Sequence, residues 1–342
     1  MSTVTETEPA TESAATTISL EYKNWQWFVA GFFFALLWAS ASTATKIGLT
    51  AAQPLVIAVV RFGTAALVLL FVTHLVKKSR LPAGAEWKQL AIYGFLNITI
   101  YLGVYAIAMQ TVTAGIGTLA VASNPVFMSF LSVFFLRKKL TKRLVFSIAV
   151  CTIGVLCAAW PLFGTAAVEP KGLLLLFASM LSYSAGAIYF SAKKWNGLSL
   201  LTINGWQTFF GGIFLLPFAL FFYQHSANHF NVVYWLSVEW LAILVSVFAV
   251  QLWLWLLQRN AVRAGLWLFL CPLFGFAFAA WLMNDAITLY TVAGVLLVTS
   301  GLLLSRLTEK KTKQSSINKT NFPGKKSKAL KTKAPSKSIY QL

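Results

Sequence analysis

Ten runs of almost unbroken apolar residues alternate with short polar links, covering residues 25–44, 54–75, 89–109, 115–136, 144–159, 172–192, 201–223, 240–257, 265–283 and 289–304. Each is close to the roughly 20 residues that carry a helix across about 30 Å of hydrocarbon. The pattern therefore predicts ten membrane-crossing helices. The links carry helix breakers, among them Gln53-Pro54, Leu81-Pro82-Ala83-Gly84, Trp160-Pro161, Glu169-Pro170 and Asn196-Gly197. Only the link over 223–239 is long enough to do more than turn.

Charge orients this pattern. The second, fourth, sixth and eighth links hold Lys77, Lys78, Arg80 and Lys88; Arg137, Lys138, Lys139, Lys142 and Arg143; Lys193 and Lys194; Arg259 and Arg263. The odd links hold only Lys46 and Lys171. Cytoplasmic links retain Lys and Arg, so both termini are expected on the cytoplasmic side, as for an integral protein of the cell (inner) membrane. A missed or surplus helix would scramble the alternation.

Composition removes the soluble alternatives: 58% of the 342 residues are hydrophobic and 11% charged. The net charge of +19 lies in the links and in the tail from Arg306, where eleven Lys or Arg stand against Glu309. Residues 306–342 are expected to be a disordered basic tail beside the inner leaflet, attracted to anionic lipid. Nothing in it offers a reading surface for nucleic acid. Residues 1–24, rich in Thr, Ser, Ala and Glu, are expected to be a disordered cytoplasmic tail, since they lack the basic start and cleavage site of a signal peptide. Cys151, Cys157 and Cys271 fall inside apolar runs and read as packing residues.

Sliding one half of the chain over the other gives a nearly constant offset. Asn124-Pro125 meets Cys271-Pro272, Thr141 meets Thr288 and Gly154 meets Gly301; earlier, Trp38 meets Tyr183 and Arg61 meets Gln207. Five helices per unit is an odd number, so the second unit enters the membrane inverted. The predicted fold is all-α, ten transmembrane helices in two inverted five-helix repeats, over 25–160 and 161–305. Such repeats suit carriers that rock around a central site.

At these residues the chain resembles the EamA-type transporters of the drug/metabolite transporter superfamily. The likeness rests on Leu37-Trp38-Ala39-Ser40, Arg61-Phe62, Ser123-Asn124-Pro125-Val126 and Leu270-Cys271-Pro272-Leu273, in order and twice over. Where that family often has Gly-Glu after each proline helix, this chain has Arg137-Lys138 and Asn284-Asp285. The resemblance implies a secondary carrier, and an outward direction of transport.

Polar and aromatic residues inside a bilayer mark the candidate cavity. Asn97, Tyr101 and Tyr105 recur at every fourth position of the third helix; Gln251, Trp255 and Gln258 repeat the device in the eighth. Trp38 with Ser42, Asn124, Tyr183 and Trp267 complete the expected substrate-binding set. Pro125 and Pro272 are hinge candidates, because each removes a backbone hydrogen bond inside a helix. Arg61 is a strongly ionised residue well within an apolar run; a structural role, capping facing carbonyls, is expected for it, the alternative being a hold on a substrate carboxylate or phosphate.

Acidic residues are missing from the core of every run, which argues against a proton-exchanging exporter of cationic drugs. His225 and His229 lack a third ligand, and the sequence has no Gly-rich phosphate loop, zinc motif or nucleophile with a base, so no metal, cofactor or catalysis is expected. The expectation is a non-enzymatic carrier of small neutral or zwitterionic metabolites such as amino acids, its partners being that solute and the bilayer. The alternatives are an antiporter for phosphorylated or nucleotide-linked solutes, and a membrane-embedded enzyme or scaffold.

Overall fold

The computed structural model describes residues 10–137, 141–160, 169–283, 287–297, 299–301 and 304, and the secondary structure among them is helical throughout. The helices are α1 (Ala10–Gly48), α2 (Pro54–Val76), α3 (Ala85–Ala108), α4 (Ala114–Phe135), α5 (Lys142–Ala159), α6 (Pro170–Ala192), α7 (Leu200–Phe221), α8 (Val232–Arg259), α9 (Ala261–Leu282) and α10 (Leu289–Gly301). Eight are long and apolar enough to cross a membrane, α1 through its Trp25–Gly48 part; α5 and α10 carry the shorter apolar stretches Val145–Gly154 and Leu289–Gly301. The chain is an all-α membrane protein. The basic tail over 306–342 lies outside the described residues.

Local chemistry sets the helix ends. Thr113, Ser199, Asn231 and Asn260 each accept a hydrogen bond from a backbone N–H in the first turn of α4, α7, α8 and α9, which satisfies donors that lipid cannot. Between α6 and α7, Asn196 (φ 43°) and Gly197 (φ 77°) make a left-handed pair.

Three boundaries depart from the hydropathy pattern. α8 starts at Val232 rather than at 240, because the Asn231 cap begins a helix that also takes up Tyr234, Leu236 and Val238. Ser237 packs where Gly48 ends α1, so the first turn of α8 projects beyond α1 and Glu239 stays close to that outer level. α3 starts at Ala85 rather than at 89 and includes Glu86, placed by its sequence in a link. Glu86 is 4% exposed and holds Arg80 through two 2.8 Å hydrogen bonds, while its carboxylate also accepts from the Ala83 N–H. That contact raises the Arg80 pKa, and Arg80 in turn donates to the Asn196 carbonyl at 2.8 Å, joining two links. Finally, 10–24 continue the helix of α1 where an unstructured tail was expected; adding turns to an existing helix is far cheaper than starting one.

Small residues set how closely the helices approach, since lipid gives apolar helices no hydrophobic reason to associate. Gly94 of α3 lies against the backbone of α7: a Cβ there would stand 2.4 Å from the Gln207 carbonyl oxygen and 3.1 Å from the Gly211 nitrogen. Gly205 and Gly212 receive α2 at Leu69, Leu70 and Phe62. α10 reaches α5 through a hydrogen bond from the Ser147 hydroxyl to the Gly301 carbonyl.

Candidate functional site

A small cavity lies between α1, α2, α3, α4 and α8. Trp38, Ala41 and Ser42 line it from α1, Arg61 from α2, Tyr101, Leu102 and Tyr105 from α3, Val121 from α4 and Val245 from α8. Its volume of about 10 Å³ is room for roughly one water molecule. Trp38, Ser42, Arg61, Tyr101 and Tyr105 are buried around it.

On the side of the α1–α2 and α3–α4 links it is bounded by two ties between α1 and α3. Ser42 and Tyr105 share a 2.6 Å hydrogen bond. One turn further out on both helices, the Lys46 ammonium donates to the carbonyls of Met109 (2.8 Å), Gln110 (3.4 Å) and Val112 (2.7 Å). Those carbonyls belong to the end of α3 and its turn into α4, where a helix leaves acceptors unused and a cation is favoured.

Aromatic rings pack the opposite side. Tyr183 of α6 lies 4.6 Å from Tyr101 and 5.8 Å from Trp38, and stacks on Trp253 at 5.6 Å; Phe34 stacks on Trp253 at 4.8 Å. The side chains are buried, yet the Tyr183 hydroxyl and the Trp253 indole N–H have no hydrogen-bond partner. Buried polar atoms of this kind cost about 1–3 kcal/mol each.

Arg61 is 5% exposed. Its Nε donates to the Ser246 hydroxyl at 2.9 Å and its guanidinium carbon lies 5.0 Å from the Phe62 ring centre, while Nη2 is buried without a partner. The expected cap on facing carbonyls is not what forms. A neutral hydroxyl takes one donor, and the cation borders the cavity with another unspent.

Of the sequence-predicted set, Trp38, Ser42, Tyr101, Tyr105 and Arg61 converge on this cavity, with Tyr183 one ring away. The others stand apart. Asn97 donates to Gln207 at 3.0 Å, across the α3–α7 contact. Asn124 faces α6, donating to the Met180 sulfur at 3.2 Å and accepting from Ser184 at 3.0 Å. Trp255 lies against Trp27 (6.3 Å) and under the Arg259 guanidinium (3.3 Å), near the end of α8, and Trp267 packs edge-on against Phe28 at 5.8 Å. Gln251 is half-buried with its carbonyl oxygen unpaired, outside the cavity lining.

Local helix geometry explains the broken stripe of α3. α3 widens into a π-helical stretch over Phe95–Ile100 and α8 over Trp240–Ala249. Bonding at i to i+5 rotates the helix before such a stretch relative to the helix after it. Asn97 thereby turns to α7 while Tyr101 and Tyr105 face the cavity; from α8, Val245 lines the cavity and Ser246 meets Arg61, and Gln251 and Trp255 follow in the regular segment Val250–Arg259. Ser246 is the residue that spacing missed, although it is a lone polar side chain in the apolar run from Trp240 to Val250.

Pro125 opens the segment Asn124–Phe135 after a tight turn that interrupts α4, and Pro272 follows the 3₁₀ stretch Leu266–Leu270 in α9. Neither proline can donate to the carbonyl four residues back, which in α4 belongs to the cavity residue Val121.

Comparison with known proteins agrees with this architecture. The model of the EamA-like transporter family matches twice, over residues 25–160 and 170–307. The uncharacterized transporter YoaV of Bacillus subtilis is 23% identical over 80% of this chain and 94% of its own, and the protein PecM of Dickeya dadantii is 26% identical over 80% and 90%. A solved crystal structure superposes with a TM-score of 0.66 at 16% identity, covering 83% of this chain and 97% of its own, which speaks to the fold alone.

Proposed function

The chain belongs to the EamA-like transporter family, and from that premise we propose a secondary carrier that moves small neutral or zwitterionic metabolites, amino acids among them, outward by alternating access. The observation that carries this reading is the small cavity, walled by Trp38, Tyr101 and Tyr105 and bearing a single cation. A space that holds one water cannot admit a metabolite until helices part, so uptake and release require a change of conformation.

Two inverted five-helix units and ten crossings are part of the proposal. The double match of the family model and the apolar stretches of α5 and α10 support it, as does the basic bias of alternate links, which puts both termini in the cytoplasm. Pro125 and Pro272, at matching places of the two units, are the proposed hinges. Tyr183 joins the cavity set as a second-unit residue; Asn97, Asn124, Gln251, Trp255 and Trp267 are proposed to meet solute only in other conformations. The outward direction rests on family likeness. A phosphorylated cargo fits less well, because one guanidinium leaves a doubly charged group unneutralised in a medium of low dielectric.

Metabolite-resolved efflux from overproducing cells, paired with counterflow in vesicles containing the pure protein, tests the reading. Overproduction should alter the internal level of particular small metabolites. Vesicles that exchange no small solute would overturn it.

A further inference from the structure

Arg61 bears the one full charge among the side chains lining the cavity. The described acidic side chains stand elsewhere: Glu86 is committed to Arg80, and Glu169 and Glu239 lie at the ends of α6 and α8 that face away from the inner links. A guanidinium is a planar fork of donors whose natural complement is a carboxylate, held by two parallel hydrogen bonds. Here Nε is spent on a neutral hydroxyl and Nη2 is buried with nothing to bond. A cation inside a bilayer needs a counter-charge or water, and among the described residues none supplies a counter-charge at this place.

We infer that the transported solute supplies it: the carboxylate of a small monocarboxylate, either free or as part of an amino acid, docks on Arg61. The inference rests on the transport reading and narrows it, since neutral and cationic solutes lose the anchor. The body of the solute then lies against the ring faces of Trp38 and Tyr101, whose centroids are 6.5 Å apart. An amino acid places its ammonium near those faces, where the ring quadrupole favours a cation. A single positive charge matches a single carboxylate: a free monocarboxylate leaves the loaded site neutral, and an amino acid leaves one positive charge, its ammonium, against the rings. Entry requires the Ser42 to Tyr105 closure to open or α8 to move off Arg61.

The test uses the full-length protein in lipid nanodiscs. Thermal unfolding is followed against rising concentrations of 4-methylpentanoate, leucine, 4-methylpentanamide and chloride, because a ligand that binds only the folded state raises its stability in proportion to occupancy. Expected is an apparent affinity for at least one of the two carboxylates that is about tenfold or more above those for the amide and for chloride. The tighter of leucine and 4-methylpentanoate then identifies the source of the carboxylate. Equal binding of the amide, or of chloride, overturns the inference.

Arg61→Lys and Arg61→Gln should weaken the carboxylate about 10- to 100-fold and leave the amide unchanged. If Arg61→Gln fails to fold, Arg61→Lys and the wild-type ratio of acid to amide still decide. Counterflow separates the two readings. Exchange of the carboxylate that Arg61→Lys leaves intact would keep the carrier and remove the anchor, whereas carboxylate-selective binding without any exchange would remove the carrier and keep the site.

Discussion

Ser42 and Tyr105 share a 2.6 Å hydrogen bond between α1 and α3, and one turn further out Lys46 of the same helix binds carbonyls at the end of α3. The two contacts form a stacked closure over the cavity, one neutral and one charged. Their strengths differ. A neutral hydroxyl pair contributes about 1 kcal/mol, whereas an ammonium sharing three acceptors contributes more and has no ready substitute.

Lys46→Met is therefore expected to open the outer side more often, and Tyr105→Phe to do so only slightly. With the native cysteines replaced, Ala41→Cys reports on the cavity through its rate of labelling by a membrane-impermeant thiol reagent. Lys46→Met should raise that rate by roughly tenfold from outside, the ratio that about 1.4 kcal/mol of closure energy corresponds to. An unchanged rate would show that the closure lies elsewhere.

Much of this arrangement could be read from the chain before its folding was known, and the missing part has a physical cause. Apolar runs locate helices because each must satisfy its backbone internally in lipid, and α2, α6 and α7 come out close to the hydropathy pattern. Trp38, Ser42, Tyr101 and Tyr105 were legible from spacing within their own helices. What spacing cannot give is the neighbour across the gap. Arg61 meets Ser246, 185 residues away, because α2 packs against the π-helical part of α8, and in α3 the same kind of irregularity turns Asn97 off the cavity. A strict count of fours fails wherever a helix changes its pitch.

The charge bias predicts a topology that labelling can check. Ser226 is exposed in the link between α7 and α8, and Asn196 is exposed in the left-handed turn before α7. In a cysteine-free background, Ser226→Cys should react with an impermeant reagent from outside the cell, and Asn196→Cys only after permeabilisation. Reaction of both from one side would contradict the proposed path of α7 and with it the inverted second unit.

Gly94 and Gly211 define the closest approach of α3 and α7. At Gly211 a Cβ would meet Ile98 at 2.4 Å and the Gly94 carbonyl oxygen at 2.9 Å, so backbone on both sides would have to yield. Gly94→Ala and Gly211→Ala should each lower stability by about 1–3 kcal/mol, the usual penalty of overpacking. Thermal unfolding in detergent measures this. Gly63, whose Cβ would meet open space, supplies the control: Gly63→Ala should leave the unfolding midpoint unchanged or slightly raised. Equal losses at all three positions would point to a general sensitivity of the helices instead of this contact.

Ser246 offers the sharpest separation of positioning from packing. Its hydroxyl accepts from Arg61, and its carbonyl accepts from Asn204 at 3.1 Å. The Asn204 side-chain oxygen accepts from Gln207 at 3.1 Å, and the Gln207 oxygen from Asn97 at 3.0 Å, so a chain of hydrogen bonds runs from α3 through α7 and α8 to the guanidinium on α2. Removing the hydroxyl leaves the backbone part of that chain in place and releases only Arg61. Ser246→Ala should therefore reduce carboxylate affinity by about tenfold and lower the ratio of acid to amide affinity, beyond the stability of about 1–3 kcal/mol that an unpaired Arg61 donor costs, and Ser246→Thr, which keeps a hydroxyl at the same place, should restore both. A merely structural serine would behave otherwise: its loss would lower the midpoint and leave the ratio of acid to amide affinity where it was. If the ratio holds in Ser246→Ala, Arg61 does not depend on Ser246 for its aim, and the Asn97-to-Arg61 chain is packing without a part in recognition.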